Sequence, residues 1–320
     1  MKILTLLLSL ALFLGLPGLG GAQEKYPTRD ITFIIGVNPG GATDFCCRAL
    51  CKSASKILGQ NIILLNKPGA AYGVALTAVK NAKPDGYTIG ELPSAPMNAQ
   101  LIQKKVPYDF LKDFKFILQC YDWRHGIVVQ AGSPWKTIQE LIADAQNNPG
   151  KIRIGVLGVG GTQHIAMERL SAKINVKYKI IPLGDGATAM TNLLGGHVDA
   201  IATVGFLPNV EAGQVRLLAV SGGGDERMAQ FPNIPTLMEL YGVNMPGFST
   251  IGGPKGLPPH VVDTLHKAFK KSMEDPDFIE TAKKFYIPIV YRGPDELNEY
   301  INKSFNMLAE VINKMGLRKE

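Results

Sequence analysis

From Pro27 onward the sequence alternates short, β-branched apolar runs with segments of helical length, and most runs end in a glycine-rich turn. Residues 31–37 (ITFIIGV) form the first run, ending in 38–44 (NPGGATD). A helix is expected over 44–58, with Thr43 and Asp44 as candidate caps. Residues 61–66 read as a strand, followed by 67–73 (KPGAAYG) and a helix to about 82. Residues 85–87 turn into a strand at 88–92. A second series begins near 126, with strands at 127–130, 152–156, 179–182, 200–204 and 215–221 and helices at 137–147, 164–173 and 187–194. Beyond 248 come a strand at 250–253, helices at 259–273 and 276–285, a strand at 289–291 and a terminal helix at 294–315. Such alternation implies βαβ units and mostly parallel sheets. A chain that leaves one unit, builds another and returns predicts an α/β protein of two doubly wound, Rossmann-like lobes. The boundaries are 23–125 with 248–320 for lobe 1 and 126–247 for lobe 2. A central cleft lies between them, with hinges at 121–128 and 221–248.

Residues 1–22 stand apart. Lys2, an apolar stretch over 3–16 and the small residues Gly20, Gly21 and Ala22 have the order of a secretory signal peptide. The stretch is shorter than the roughly 20 residues that span a bilayer. Cleavage after Ala22 predicts an exported, periplasmic protein. The formal charge of +7 is scattered rather than gathered in a stripe with aromatics, so nucleic acid is not expected as a partner. Cys46, Cys47, Cys51 and Cys120 lack the paired spacing of a zinc site. They read as small buried hydrophobes, with one bridge to Cys120 left open.

Three glycine-rich turns follow strands and precede helices: 39–44, 68–73 and 158–164. Glycine lets backbone N–H groups approach a ligand, and a helix N-terminus bears about half a positive charge. Together they favour an anion such as a carboxylate. Turns on separate halves of the chain would anchor it from both walls. Thr43, Ser94 and Thr162 add hydroxyls, and Tyr72 and Met97 are candidate lining residues. The segment 158–162 (GVGGT) lacks the Gly-Lys-Ser/Thr ending of a phosphate loop. No metal-binding or nucleophile-elbow spacing is present, so neither cofactor, metal nor catalytic residue is expected. Asp44 is read first as a helix cap, and His164 as a helix-start residue with a ligand-facing alternative.

Several segments, in order, resemble one known family. They are Tyr26-Pro27 with 31–44, 66–73 (NKPGAAYG), 84–88 (PDGYT), 160–164 (GGTQH), 194–199 (LGGHVD), 213–220 (GQVRLLAV), and Arg227 with 231–239 (FPNIPTLME). The chain thus resembles the tripartite tricarboxylate transporter receptors, the TctC or Bug family of extracytoplasmic solute receptors. The resemblance covers essentially the whole chain after the leader. It implies a Venus-flytrap fold gripping a carboxylate through backbone amides, hydroxyls and water. It also implies a membrane permease of one large and one small integral subunit as partner. The expected ligand-binding set is Asn38, Gly40, Gly41, Ala42, Thr43, Asp44, Ala70, Ala71, Tyr72, Ser94, Gly160, Gly161, Thr162, His164 and Asp185. Where the family has Pro-Tyr-Lys-Gly, this chain has Pro182-Leu183-Gly184-Asp185-Gly186. Asp185 would repel a second carboxylate or pair with an amine, leaving dicarboxylate, tricarboxylate, monocarboxylate and amino acid open.

The expectation is therefore a monomeric periplasmic binding protein that captures a small carboxylate by closure and catalyses no reaction. The alternatives are a ligand-binding module for a sensor kinase and a periplasmic hydrolase.

Overall fold

Eleven strands and eleven α-helices make up the elements of a computed structural model that describes residues 25–103, 105–184, 186–222, 226–244, 247–314, 316 and 318. The proposed leader and its cleavage site lie outside these residues. In chain order the first elements are β1 (Ile31–Ile35), α1 (Ala42–Leu58), β2 (Ile62–Asn66), α2 (Gly73–Lys80), β3 (Thr88–Pro93), α3 (Ser94–Ile102) and β4 (Phe114–Tyr121). Then come β5 (His125–Gln130), α4 (Ile138–Asn147), β6 (Arg153–Val156), α5 (Thr162–Ile174), β7 (Lys179–Pro182), α6 (Gly186–Leu194), β8 (Ala200–Thr203), α7 (Leu207–Glu211), β9 (Val215–Ser221) and α8 (Leu237–Tyr241). The chain ends with β10 (Ser249–Pro254), α9 (Pro259–Ser272), α10 (Pro276–Lys284), β11 (Ile289–Arg292) and α11 (Pro294–Lys314).

The strands form two sheets, ordered β11-β4-β10-β3-β1-β2 and β7-β6-β8-β5-β9. Both are mixed, which corrects the expectation of mostly parallel sheets. The β3-β1-β2 and β7-β6-β8 pairings are parallel. The strand that enters the second sheet, β5, runs antiparallel to both neighbours, as does the strand that returns to the first, β10. Each of these two strands enters its sheet from the other one rather than through a βαβ crossover within it, so no crossover helix sets it parallel to its neighbours.

β1 is flanked on both sides and buried at four of its five positions, whereas β2 at the edge alternates exposed Ile63 and Leu65 with covered Ile62 and Leu64. Helices α1, α9 and α10 cover one face of the first sheet; Phe33 of β1 meets Phe269 of α9 with ring centroids 5.9 Å apart. Each such ring or branched aliphatic chain contributes about 2 kcal/mol when fully buried. Helices α2, α3 and α11 cover the other face, and Ile165 and Ala166 of α5 join that cluster from the second sheet's side. In the second sheet α4, α5 and α8 lie on one face and α6 and α7 on the other.

The two passages between sheets are hydrogen-bonded side by side. The Trp123 N–H donates to the Gly247 carbonyl at 2.9 Å, and the Gly247 N–H donates to the Asp122 carboxylate at 3.0 Å. All four cysteines are free and buried in the first core, so no bridge to Cys120 forms. Burial pushes the Cys46 thiol up to about 12, consistent with a packing role.

Candidate functional site

The first glycine turn leaves β1 at Ile35 and swings into α1. Gly40 has φ +92°, a left-handed conformation that suits glycine, and Gly41 is the extended N-cap. The helix begins at Ala42, two residues earlier than expected, so Thr43 and Asp44 lie inside its first turn and do not cap it. Asp44, the third helical residue, reaches back to accept the Gly40 N–H at 3.1 Å. Arg48 grips both its oxygens at 3.0 and 2.9 Å, and the Asn66 amide donates at 2.9 Å. Burial pushes the Asp44 carboxyl up, but the Arg48, Asn66 and Gly40 hydrogen bonds outweigh it and hold it below the usual carboxylate value.

The second glycine turn repeats this plan in the other sheet. Gly160 has φ +77°, Gly161 is the extended N-cap, and α5 begins at Thr162. His164, again the third helical residue, accepts the Gly160 N–H on Nδ1 at 2.9 Å. Both turns are thus latched by a side chain four residues after the left-handed glycine. In each helix the latch leaves the amides of the first turn, 42–44 and 162–164, without intrahelical acceptors.

These two helix starts contribute to the wall of one cavity of about 440 Å³. Of the expected site residues, Thr43, Tyr72, Ser94, Gly160, Gly161 and Thr162 line it. Gly41 and Ala42 line an adjoining cavity of about 350 Å³ that shares Val37, Thr43, Trp123, Gly186 and Val204 with the first. Asn38, Gly40, Asp44 and His164 line neither; Asp44 and His164 stand behind the turns as latches. Ala70 and Ala71 fall on the short 3-10 turn Ala70–Tyr72 that delivers Tyr72. Asp185 lies outside the described residues. Met97 is fully buried in the core behind α3 rather than at the cavity.

Tyr72 lines the cavity, and its phenol hydrogen-bonds with Thr43. It holds φ +74°, and its ring packs so closely over Gly36 that a Cβ there would stand 2.3 Å from Cδ1. Its hydroxyl donates to Glu91 at 2.7 Å. Glu91 is 2 % exposed and also accepts from Tyr121 at 3.0 Å and from Ser249. Burial pushes the Glu91 carboxyl up, and these three hydroxyl donors oppose the shift. Burial, and then Glu91, drive the Tyr72 phenol well above its ordinary value. Thr162 keeps a free proton: its oxygen accepts the Asn98 amide at 3.4 Å.

The sequence reading missed α3, which supplies Ser94, Ala95, Ala99 and Ile102, and the residues at the crossings, Trp123, His125 and Gly247. The Ile102 side chain reaches Gly160 closely enough that a Cβ there would stand 2.5 Å from Cδ1, so α3 and the second turn already touch across the cleft. His125 is 8 % exposed, and burial lowers its imidazole to about 4. Its Nδ1 lies 3.0 Å from Gln163 Nε2, and its Nε2 has no partner among the described residues. No described residue lining the 440 Å³ cavity is charged. Among the described residues no cluster of His, Cys, Asp and Glu is placed to hold a metal, and no helix is long and apolar enough to cross a membrane.

Comparison with known proteins gives a consistent set of relatives. The profile described as the tripartite tricarboxylate transporter family receptor matches residues 46–317. The protein of the gbd 5' region of Cupriavidus necator is 39% identical over 299 residues, covering 92% of this chain and 90% of its own length. Among solved structures, a TctC solute binding protein from Polaromonas is similar with a TM-score of 0.77 and 29% identity, covering 91% of this chain and 100% of that one. The periplasmic binding protein BugD is similar with a TM-score of 0.79 and 28% identity, over 92% and 100%.

Proposed function

The chain belongs to the tripartite tricarboxylate transporter receptor family, and from that premise we propose that its cleft captures a small carboxylate in the periplasm for a membrane permease of one large and one small integral subunit. Receptors of this family and fold bind solutes and catalyse no reaction. The observation that supports the carboxylate is the pair of latched glycine turns, one from each sheet, whose helix starts contribute to the same cavity. Oriented amides at a helix N-terminus favour an anion without requiring a charged side chain. The proposed site keeps Thr43, Ser94 and Thr162 as hydroxyl donors and the amides of 42–44 and 162–164 as the anion's cradle. Gly40, Asp44, Gly160 and His164 hold that cradle in shape.

A ligand that touches both walls binds the closed arrangement better than the open one and shifts the population toward it. The paired crossings at Asp122, Trp123 and Gly247 are the hinge in this reading. The permease would recognise the closed, monomeric receptor, delivered to the periplasm by the leader at 1–22.

Calorimetric titration of the mature protein against a panel of carboxylates tests the proposal. Removing a hydroxyl that donates to a charged group costs about 1.5–3 kcal/mol, so Thr162→Val and Thr43→Val should each weaken binding at least tenfold. Unfolding midpoints should stay close to wild type. Wild-type affinity in both variants would remove the site assignment.

A further inference from the structure

We propose that the cleft selects a monocarboxylate with an apolar body, and that His125 gives that ligand a ring N–H; this rests on the carboxylate reading above. Three independent features of the cavity point there.

The first is charge. Two helix N-termini face the cavity, each worth roughly half a positive charge, which together offset one carboxylate and not two. No described residue lining the 440 Å³ cavity adds a cation to meet a second carboxylate; Arg124 lines the adjoining cavity instead. A second ionised group would be desolvated without a partner, which is strongly unfavourable.

The second is the wall. The apolar part of the lining includes Val37, Pro93, Ile102, Leu157, Val159 and Trp123. Apart from the Trp123 indole N–H, these side chains offer an apolar ligand body a surface that excludes water.

The third is His125. If the Gln163 amide donates to Nδ1, that nitrogen is an acceptor, and a neutral imidazole must then hold its proton on Nε2. That N–H has no partner among the described residues and lies against Gly247, another residue of the wall. A buried donor left unpaired is costly, and a ligand oxygen would relieve it. Burial lowers the imidazole to about 4, so at neutral pH it is a dipolar donor and not a second cation. Its partner Gln163 is the second residue of α5, which puts the ring beside the amides of that helix start.

The test is a matched titration of the mature protein: hexanoate against adipate, benzoate against terephthalate, with citrate and glutamate alongside. The monoacid of each pair should bind about tenfold tighter or more. Adipate, terephthalate or citrate binding tighter than the monoacids would overturn the ligand class while leaving the carboxylate reading intact. No binding by any acid in the panel would overturn that reading itself. His125→Phe, which keeps the ring shape and loses the N–H, should weaken the preferred monoacid about tenfold. His125→Gln, which retains an N–H donor, should recover part of that loss. Wild-type affinity in His125→Phe would remove His125 from the site, and the wild-type ratios decide the ligand class without any variant.

Discussion

Lowering the pH from 7 to 4 puts a proton on the imidazole of residue 125 in the unfolded chain but not in the folded one. The ordinary histidine value is about 6.5, and burial of His125 brings it to about 4, with no charged neighbour contributing. Between those limits the unfolded state binds the proton and the native state does not, so stability rises with pH across that window. The stabilisation is complete above about 6.5 and is lost as the pH falls toward 4. At about 1.4 kcal/mol per pH unit, the window amounts to about 3 kcal/mol. The Asp and Glu side chains also titrate there, so the measurement is a difference. Urea unfolding followed by Trp123 and Trp135 fluorescence at pH 7, 5.5 and 4.5 is compared between wild type and His125→Gln. Gln does not titrate, and the carboxylate contributions cancel. Wild type should lose about 2–3 kcal/mol more than the variant over that range. Parallel pH dependence in the two proteins would refute the argument, because the imidazole would then be hydrated or paired.

Asp44→Ala tests the first latch: it removes the bonds from Gly40, Asn66 and Arg48 to the carboxylate and leaves the half-exposed Arg48 with Asn66 Oδ1 alone, costing about 1–2 kcal/mol in urea unfolding. Carboxylate affinity should fall although Asp44 never lines the cavity; unchanged affinity would mean the turn holds its shape without the latch. Gly160→Ala tests the second turn, where the left-handed φ of +77° and the nearby Ile102 side chain both oppose a Cβ. Strain of about 1–3 kcal/mol is expected, with ligand affinity falling by calorimetry because the amides of 162–164 are displaced.

The alternation of strands and helices was legible because period and length are local properties of the chain. Strand direction was not, because it depends on which strands become neighbours, and β5 pairs with β8 and β9, which come much later in the chain. The strand β4 (FKFILQCY) was missed since Lys115 and Gln119 interrupt its apolar run. In the fold Gln119 is buried and accepts from Arg292 at 2.7 Å, a partner 173 residues away. No helix was expected at α3, where Pro96 stands in the first turn, a place proline tolerates. The glycine turns were readable as candidate anion sites because left-handed glycine followed by a helix start is local. His125, Trp123 and Gly247 were not, because they reach the cavity only where the two crossings lie side by side.

The two turns share a latch position but differ in its chemistry, and the difference follows from what each can tolerate near an anion. A bare carboxylate at the start of α1 would cancel the potential that draws the ligand. Asp44 avoids this because Arg48 takes both its oxygens, so the pair presents no net charge, and Asn66 pins the pair to the end of β2. α5 has no arginine at the corresponding position. Glu168 stands there, its Oε1 3.7 Å from His164 Nε2. A carboxylate latch at 164 would face Glu168 with like charge, whereas an imidazole accepts the Gly160 N–H without adding negative charge. The side chain closing each turn is thus chosen by its neighbour one turn along the helix. In both cases the result is a fixed loop whose latch adds no net negative charge beside the outward amides.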